Sequence, residues 1–438
     1  MRTLLAFLID ERGWNSYRIF RPRYEAAGRE IGIGDATVSK RTFERWRGGG
    51  SMPGLESRQV LQALFEHSIE ELWGPAPEDT RPLRASPFTD PGPAPAGLFD
   101  MGRQAAMAAD RALRFAVLAE TGSIGPETLD HIRTEVTRIA ATYPRVPLHV
   151  VLGDLIEVQD LAFRLLESGR TRPAQARDLY FLASMASGML AKASHDLGDP
   201  RSAMAQARSA YVCADQADHQ PMRAWVRGLQ SLISYWAGSP DEAVRFSQRG
   251  SAEATRVTGT SGAWLASLEA RAQAQLGNEQ GVLDAISRAT DQRETVVPDE
   301  LDLIGGILAF PAPRQLYYTA EAQVQLNVPS PRAARDAEAA VDAYRSADET
   351  EWAYGDEAGA HTNLALTRIA NGDLDGAVSE VHAVLDLPSA QRSHGIVVSV
   401  QRVHRALAAP SVRLAEPARD MRAEIELFTN NPIPALPR

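Results

Sequence analysis

Lys40, Arg41, Arg45 and Arg47 fall within eight residues, with Phe43 and Trp46 interleaved among them. Guanidinium groups form paired hydrogen bonds to guanine edges, and further cations neutralise phosphate. This set therefore suits contact with nucleic acid, provided one short element turns the cations one way and the aromatics the other. The flanking sequence supplies that element. Ser39 is placed to cap a helix over residues 40–46. Phe43 and Trp46, three apart, share a face that can be buried, and the cations fall largely on the other side with Thr42 beside them. Three glycines, 48–50, stop the helix, Pro53 marks the turn, and Val60, Leu61, Leu64 and Phe65 open a second amphipathic helix.

This order of features reads as the recognition end of a helix-turn-helix domain over residues 1–73. It resembles the Cro/repressor-type (XRE) family, matched at Ser39, Phe43, Trp46, Gly49 and Pro53. The resemblance implies that Lys40, Arg41 and Arg45 touch base edges, with Ser39, Thr42 and Arg47 completing the DNA-facing set. Upstream the chain departs from the family. A longer stretch, residues 14–35 with Arg18, Arg21, Arg23 and Arg29 in it, replaces the compact first two helices. The chain as a whole is acidic, net −10 with a pI near 5.5. Residues 12–47 hold nine basic and four acidic residues, and residues 1–73 eleven against ten. Attraction to duplex DNA is thus confined to one patch, which predicts modest non-specific affinity and reliance on specific contacts and dimerisation.

A chain of 438 residues suggests two or three domains, and 44% hydrophobic residues is a globular composition. No apolar run approaches the ~18 residues of a membrane span. The apolar stretch 4–9, closed by Asp10-Glu11-Arg12, is too short for a signal peptide and reads as the start of the first helix. Cys213 stands alone and forms no internal disulfide; with no export signal the expectation is a cytoplasmic protein. Residues 74–97 hold seven prolines and read as a semi-extended linker.

From 98 to 428 strand signals vanish and alanine-rich helical patterns follow one another, beginning with the stripe Met101, Ala105, Ala108, Ala112 and Phe115. The expected fold class is all-α. A glycine turn recurs at Gly198, Gly238, Gly277 and Gly372, with a diverged turn at Asn327-Val328-Pro329, and five residues past each glycine lie Ala203, Ala243, Val282 and Ala377. Helix, glycine turn, then helix with an early small residue is a tetratricopeptide-like pattern, with units longer than the usual ~34 residues. Residues 429–438, with three prolines, read as a flexible tail.

The stretches Asp178-Leu179-Tyr180, Asp196-Leu197-Gly198-Asp199 and Arg223-Ala224-Trp225-Val226-Arg227-Gly228 resemble actinobacterial (Streptomyces-type) regulators that join such an N-terminal domain to a helical-repeat region. The resemblance implies transcriptional control of development or specialised metabolism. It also implies a homodimer on double-stranded DNA, whose repeats bind a peptide, small-molecule or protein effector. Effector binding would shift the angle between repeats, and the linker would pass this on as altered half-site spacing. Arg223, Arg227 and Asn363 are candidates to hold a ligand's carboxylate or backbone, and Trp225, Tyr235, Tyr317 and Tyr318 to line the groove. Trp225 and Trp236 equally fit a core between helix pairs, and Arg223 with Arg227, four apart, equally fit a solvated face.

No constellation points to an enzyme, a cofactor or a metal. The nine histidines are scattered, and His195-Asp196 reads as a helix-end pair. Gly28, Gly32 and Gly34 lack a preceding strand, and Cys213 sits in an apolar helical setting that suits an inert thiol. A second reading is a repeat-based adaptor for a partner protein, with a vestigial DNA-binding domain.

Overall fold

The computed structural model describes residues 3–75 and 125–430, apart from 12–13, 15–16, 32, 34–35, 51, 66, 170 and 327–330. The described residues are all-α, with twenty helices and one isolated bridge, Thr3 to Pro75. The stripe at 101–115, most of the proposed linker, the Asn327-Val328-Pro329 turn and residues 431–438 lie outside them. The chain divides into two compact units, Met1–Ala96 and Gly97–Arg438.

The first unit packs α1 (Leu4–Glu11), α2 (Tyr17–Glu30), α3 (Lys40–Arg47), α4 (Leu55–Phe65) and the short α5 (Ile69–Leu72) around one core. The apolar stretch at 4–9 opens α1, with Leu5 and Ile9 fully buried. Phe20 and Tyr24 of α2 meet Phe43 and Trp46 of α3, with ring centroids 4.7 and 5.9 Å apart. Gly74 and Pro75, expected to open the linker, close this unit instead: the Leu4 amide donates to the Gly74 carbonyl at 3.0 Å.

The second unit is a succession of helix pairs. It opens with α6 (Pro126–Thr142) and α7 (Leu148–Glu167), then α8 (Pro173–Asp196) and α9 (Pro200–Gln216). Next come α10 (Gln220–Trp236) with α11 (Pro240–Glu253), and α12 (Ser261–Gln275) with α13 (Glu279–Glu294). A short α14 (Glu300–Ile304) precedes α15 (Ala312–Gln325) and α16 (Pro331–Arg345). The series ends with α17 (Tyr354–Ala370), α18 (Leu374–Leu385), α19 (His394–Leu407) and α20 (Glu416–Asn430). Thr429 and Asn430, expected in the tail, complete α20.

The recurrent glycines do what their spacing predicts. Gly198, Gly238, Gly277 and Gly372 have φ of +78°, +74°, +69° and +79°, the left-handed conformation that ends a helix and that glycine adopts without strain. The small residues after them, Ala203, Ala243, Val282 and Ala377, are buried where the second helix crosses the first.

Alternate helices α8, α10, α12, α15, α17 and α19 pack side by side in that order, and α19 returns to touch α8. The turn after α8 seals this closure: a Cβ on Gly198 would lie 3.1 Å from the His394 ring at the start of α19. The six helices thus form a ring with an inner face. Neighbours within it approach closely because a glycine faces an aromatic ring. Cβ atoms on Gly188 and Gly228 would stand 2.6 Å from Trp225 and 2.7 Å from Trp264, and one on Gly359 2.4 Å from Tyr317.

Candidate functional site

In the first unit α3 begins with Ser39, whose side chain accepts from the Thr42 amide at 3.1 Å, satisfying one of the amides a helix start leaves free. The Thr42 and Ser39 hydroxyls are 2.8 Å apart. Phe43 and Trp46 are 2% and 3% exposed, and their burial fixes the rotation of the helix. Lys40, Arg41, Arg45 and Arg47 are exposed, and Thr42 is half-buried at the margin. At 100° per residue, Arg41 and Arg45 lie opposite the buried stripe, whereas Lys40 and Arg47 fall on the flank beside Phe43, Arg47 the nearer of the two. Glu44 stands on the same outward face, 3.8 Å from Lys40.

The end of α3 is equally determined. Gly49, at φ +73°, donates its amide to the Trp46 carbonyl, and Gly50 donates to Arg45 at 2.8 Å, the paired bonds of a glycine-terminated helix. The Trp73 indole then donates to the Gly50 carbonyl at 2.9 Å, tying this turn to the end of α5. At the other end the Tyr17 hydroxyl donates to the Val38 carbonyl at 2.9 Å, anchoring the approach to α3 on α2. Nine residues separate α2 from α3, longer than the three or four of a compact helix-turn-helix. The exposed arginines of α2, Arg21, Arg23 and Arg29, add positive charge, with Arg21 held by Glu25 at 2.6 Å.

In the second unit the candidate ligand residues separate into groups. Arg223 and Arg227 do not line the inner pocket. Arg223 pairs with Asp215 at 3.1 Å, and Arg227 pairs with Glu253 at 3.2 Å while lying 3.7 Å over the Tyr211 ring. The i, i+4 spacing placed them correctly on one face, but that face meets α9 and the end of α11. Trp225 is buried, its indole donating to the Ile307 carbonyl at 3.3 Å, yet its ring also walls the pocket. Tyr317 and Tyr318 share that wall, so core and pocket are one surface here. Asn363, 4% exposed, lines a separate groove of about 1780 Å³, solvent-open space included, with Arg402 and Arg405.

The pocket inside the ring has two adjoining lobes of about 650 and 460 Å³, solvent-open space included. Between it and the Asn363 groove lies a charge cluster that the sequence reading missed. Glu321, 1% exposed, receives Arg271 at 2.7 Å and Arg402 at 2.7 Å, and accepts from the Tyr235 hydroxyl at 2.8 Å. Burial works against the Glu321 charge, but the two guanidiniums outweigh it and hold its carboxyl below the usual range. Arg271, also 1% exposed, lies over the Tyr235 and Tyr318 rings at 4.3 and 4.1 Å, a cation–π setting. The cluster joins α10, α12, α15 and α19 across the ring. A signal for it exists in the sequence: Arg271 and Glu321 each stand between two alanines on helices otherwise patterned for close packing.

Two other wall cations are balanced locally, Lys192 by Asp196 at 2.5 Å and Arg314 by Asp356 at 2.5 Å. His195 is 5% exposed; burial pushes its imidazole down to about 3, so it is neutral at ordinary pH. Burial likewise pushes the Cys213 thiol up to about 11. Among the described residues no group of three or more His, Cys, Asp or Glu is placed to hold a metal, and no helix is long and apolar enough to cross a membrane. No protein-family model and no curated protein sequence matches the chain.

Proposed function

We propose that the chain is a sequence-specific, DNA-binding transcriptional regulator that acts in the cytoplasm as a homodimer, with the repeat unit serving dimerisation and effector sensing. The observation that carries this reading is α3: a capped eight-residue helix whose aromatic pair is buried and whose Lys40, Arg41 and Arg45 project from the exposed side. That is the arrangement required of a helix laid in a major groove, with guanidiniums reaching base edges and flanking cations meeting phosphate. Two-fold symmetry would set paired half-sites about one helical turn apart, or a multiple of it.

The test is selection of duplexes from a random library by the full chain at about 150 mM salt, beside a Lys40→Ala/Arg41→Ala double variant. The expected result is a two-fold symmetric motif that the variant fails to enrich. Absence of any motif, with and without candidate effectors, would favour the adaptor reading. Glu44 on the outward face of α3 is the observation on that side, since it repels phosphate.

A further inference from the structure

We propose that the pocket inside the helical ring is a site for a small aromatic carboxylate, a molecule of one or two flat rings bearing a single negative charge. This deepens the sensing half of the proposed function and rests on that half alone; it is independent of whether the first unit reads DNA.

The charge comes first. Two guanidiniums, the buried Arg271 and the partly exposed Arg402, share one carboxylate, Glu321, while Lys192 and Arg314 each have their own. The layer therefore holds one positive charge in excess, in surroundings where an uncompensated charge is costly. The excess is localised. Arg271 Nη2 and Glu321 Oε2 form an ion pair at 2.7 Å in which Oε2 accepts no hydrogen bond, and Arg271 Nε and Nη1 have no hydrogen-bond partner although the side chain is 99% buried and walls the smaller lobe. Idle donors on a guanidinium that walls a cavity are matched by an anionic oxygen, which reaches them once the covering side chains part, since neither nitrogen is solvent-accessible. The charge of that anion is limited, because Asp196 and Asp356 stand in both lobes and repel a second negative charge. A monoanionic carboxylate fits this balance better than a phosphate.

The ring preference comes from the wall. Trp225 and Trp264, with centroids 5.8 Å apart, wall the larger lobe with Tyr318, and Tyr317, 5.2 Å from Tyr318, walls the smaller, while Phe310 packs behind them, 6.5 Å from Trp264 and 5.5 Å from Tyr318. Flat rings stack or meet edge-on there with gains beyond simple burial.

Gly355 offers a clean obstruction. It lies in the wall of both lobes, and a Cβ built on it meets nothing within 4 Å, so a bulky side chain there enters empty space. The full chain would be titrated with benzoate, indole-3-acetate and 2-naphthoate, and with the matching carboxamides, following tryptophan fluorescence and the thermal unfolding midpoint. At least one acid is expected to bind and to raise the midpoint, with its amide weaker by about tenfold or more. Gly355→Phe is expected to keep its helical circular dichroism and lose binding. Arg271→Gln leaves Arg402 to neutralise Glu321, and is expected to bind acid and amide alike. The proposal is overturned if no acid binds, if wild type binds acids and amides equally, or if a folded Gly355→Phe binds as wild type does. Failure to select a DNA motif would leave each of these outcomes readable.

Discussion

At the scale of single residues, the outward face of α3 holds opposing charges whose contributions can be separated. Arg41, exposed at the centre of the face, is expected to cost about 1–3 kcal/mol at a selected site when replaced by alanine, and to relax base preference there. Glu44, 61% exposed and 3.8 Å from Lys40, pushes phosphate away, so Glu44→Gln should tighten binding to any duplex by about 0.2–1 kcal/mol without changing the preferred sequence. Fluorescence anisotropy on matched and scrambled duplexes checks both, and loss of affinity in Glu44→Gln would mean that the carboxylate touches a base. In the second unit His195 couples folding to pH. Its imidazole is brought from 6.5 to about 3, first by burial and then by Lys192, His394 and Arg271, with only Asp196 opposing. Below about pH 6.5 the unfolded chain takes up a proton that the folded chain refuses, so stability falls with pH until about pH 3. By pH 5 this group alone should have removed about 2 kcal/mol. His195→Gln should flatten the decline in denaturant midpoint between pH 7 and 5, and identical pH profiles would remove His195 as its source.

At the scale of elements, the ring of helices depends on glycine opposite aromatic side chains. A methyl on Gly228 would come within 2.7 Å of the Trp264 ring, which is itself 7% exposed and can yield only by shifting into the lobe it walls. Gly228→Ala should therefore destabilise the second unit by about 1–3 kcal/mol through overpacking, although alanine is the better helix former. A thermal midpoint equal to wild type would show that α10 and α12 can slide apart. What was legible in the sequence follows the same division between local and distant causes. The cap at Ser39, the Phe43–Trp46 pair and the glycine stop act within a dozen residues, so α3 could be read directly. The turns at Gly198, Gly238, Gly277 and Gly372 were legible because a positive φ is a property of one residue. For Arg223 and Arg227 the groove and a solvated face stay equally open in the sequence, because helical spacing says that two residues share a face but not which neighbour that face meets; Asp215 and Glu253 decide it. The Arg271–Glu321–Arg402 cluster spans 131 residues of chain and exists only because α19 returns to α8, a closure no local pattern encodes.

At the scale of the whole molecule, charge is distributed unevenly along the chain. Beyond residue 73, 35 basic residues face 46 acidic ones, while residues 12–47 carry the positive excess. If the chain binds duplex DNA as proposed, it gains little from non-specific attraction, and the salt dependence of binding would report the few cations that reach phosphate. Each neutralised phosphate contributes about −0.9 to the slope of log K against log salt. If all four cations of α3 met phosphate, one copy would give about −3.6 and a two-fold pair about −7. Arg47 provides the sharper comparison. On the proposed reading, its place at the edge of the buried stripe would set it against the backbone of the duplex and away from base edges. Replacing it by alanine removes one contact per copy, so the slope should become shallower by about 1.8 for a dimer on paired half-sites, and by about 0.9 for a single bound copy. The larger change, with sequence preference intact, is the expected result for the full chain on its selected operator. The smaller change would place one copy on each site and remove dimerisation from the reading. No change would take Arg47 off the duplex and leave Lys40, Arg41 and Arg45 as the whole contribution of α3.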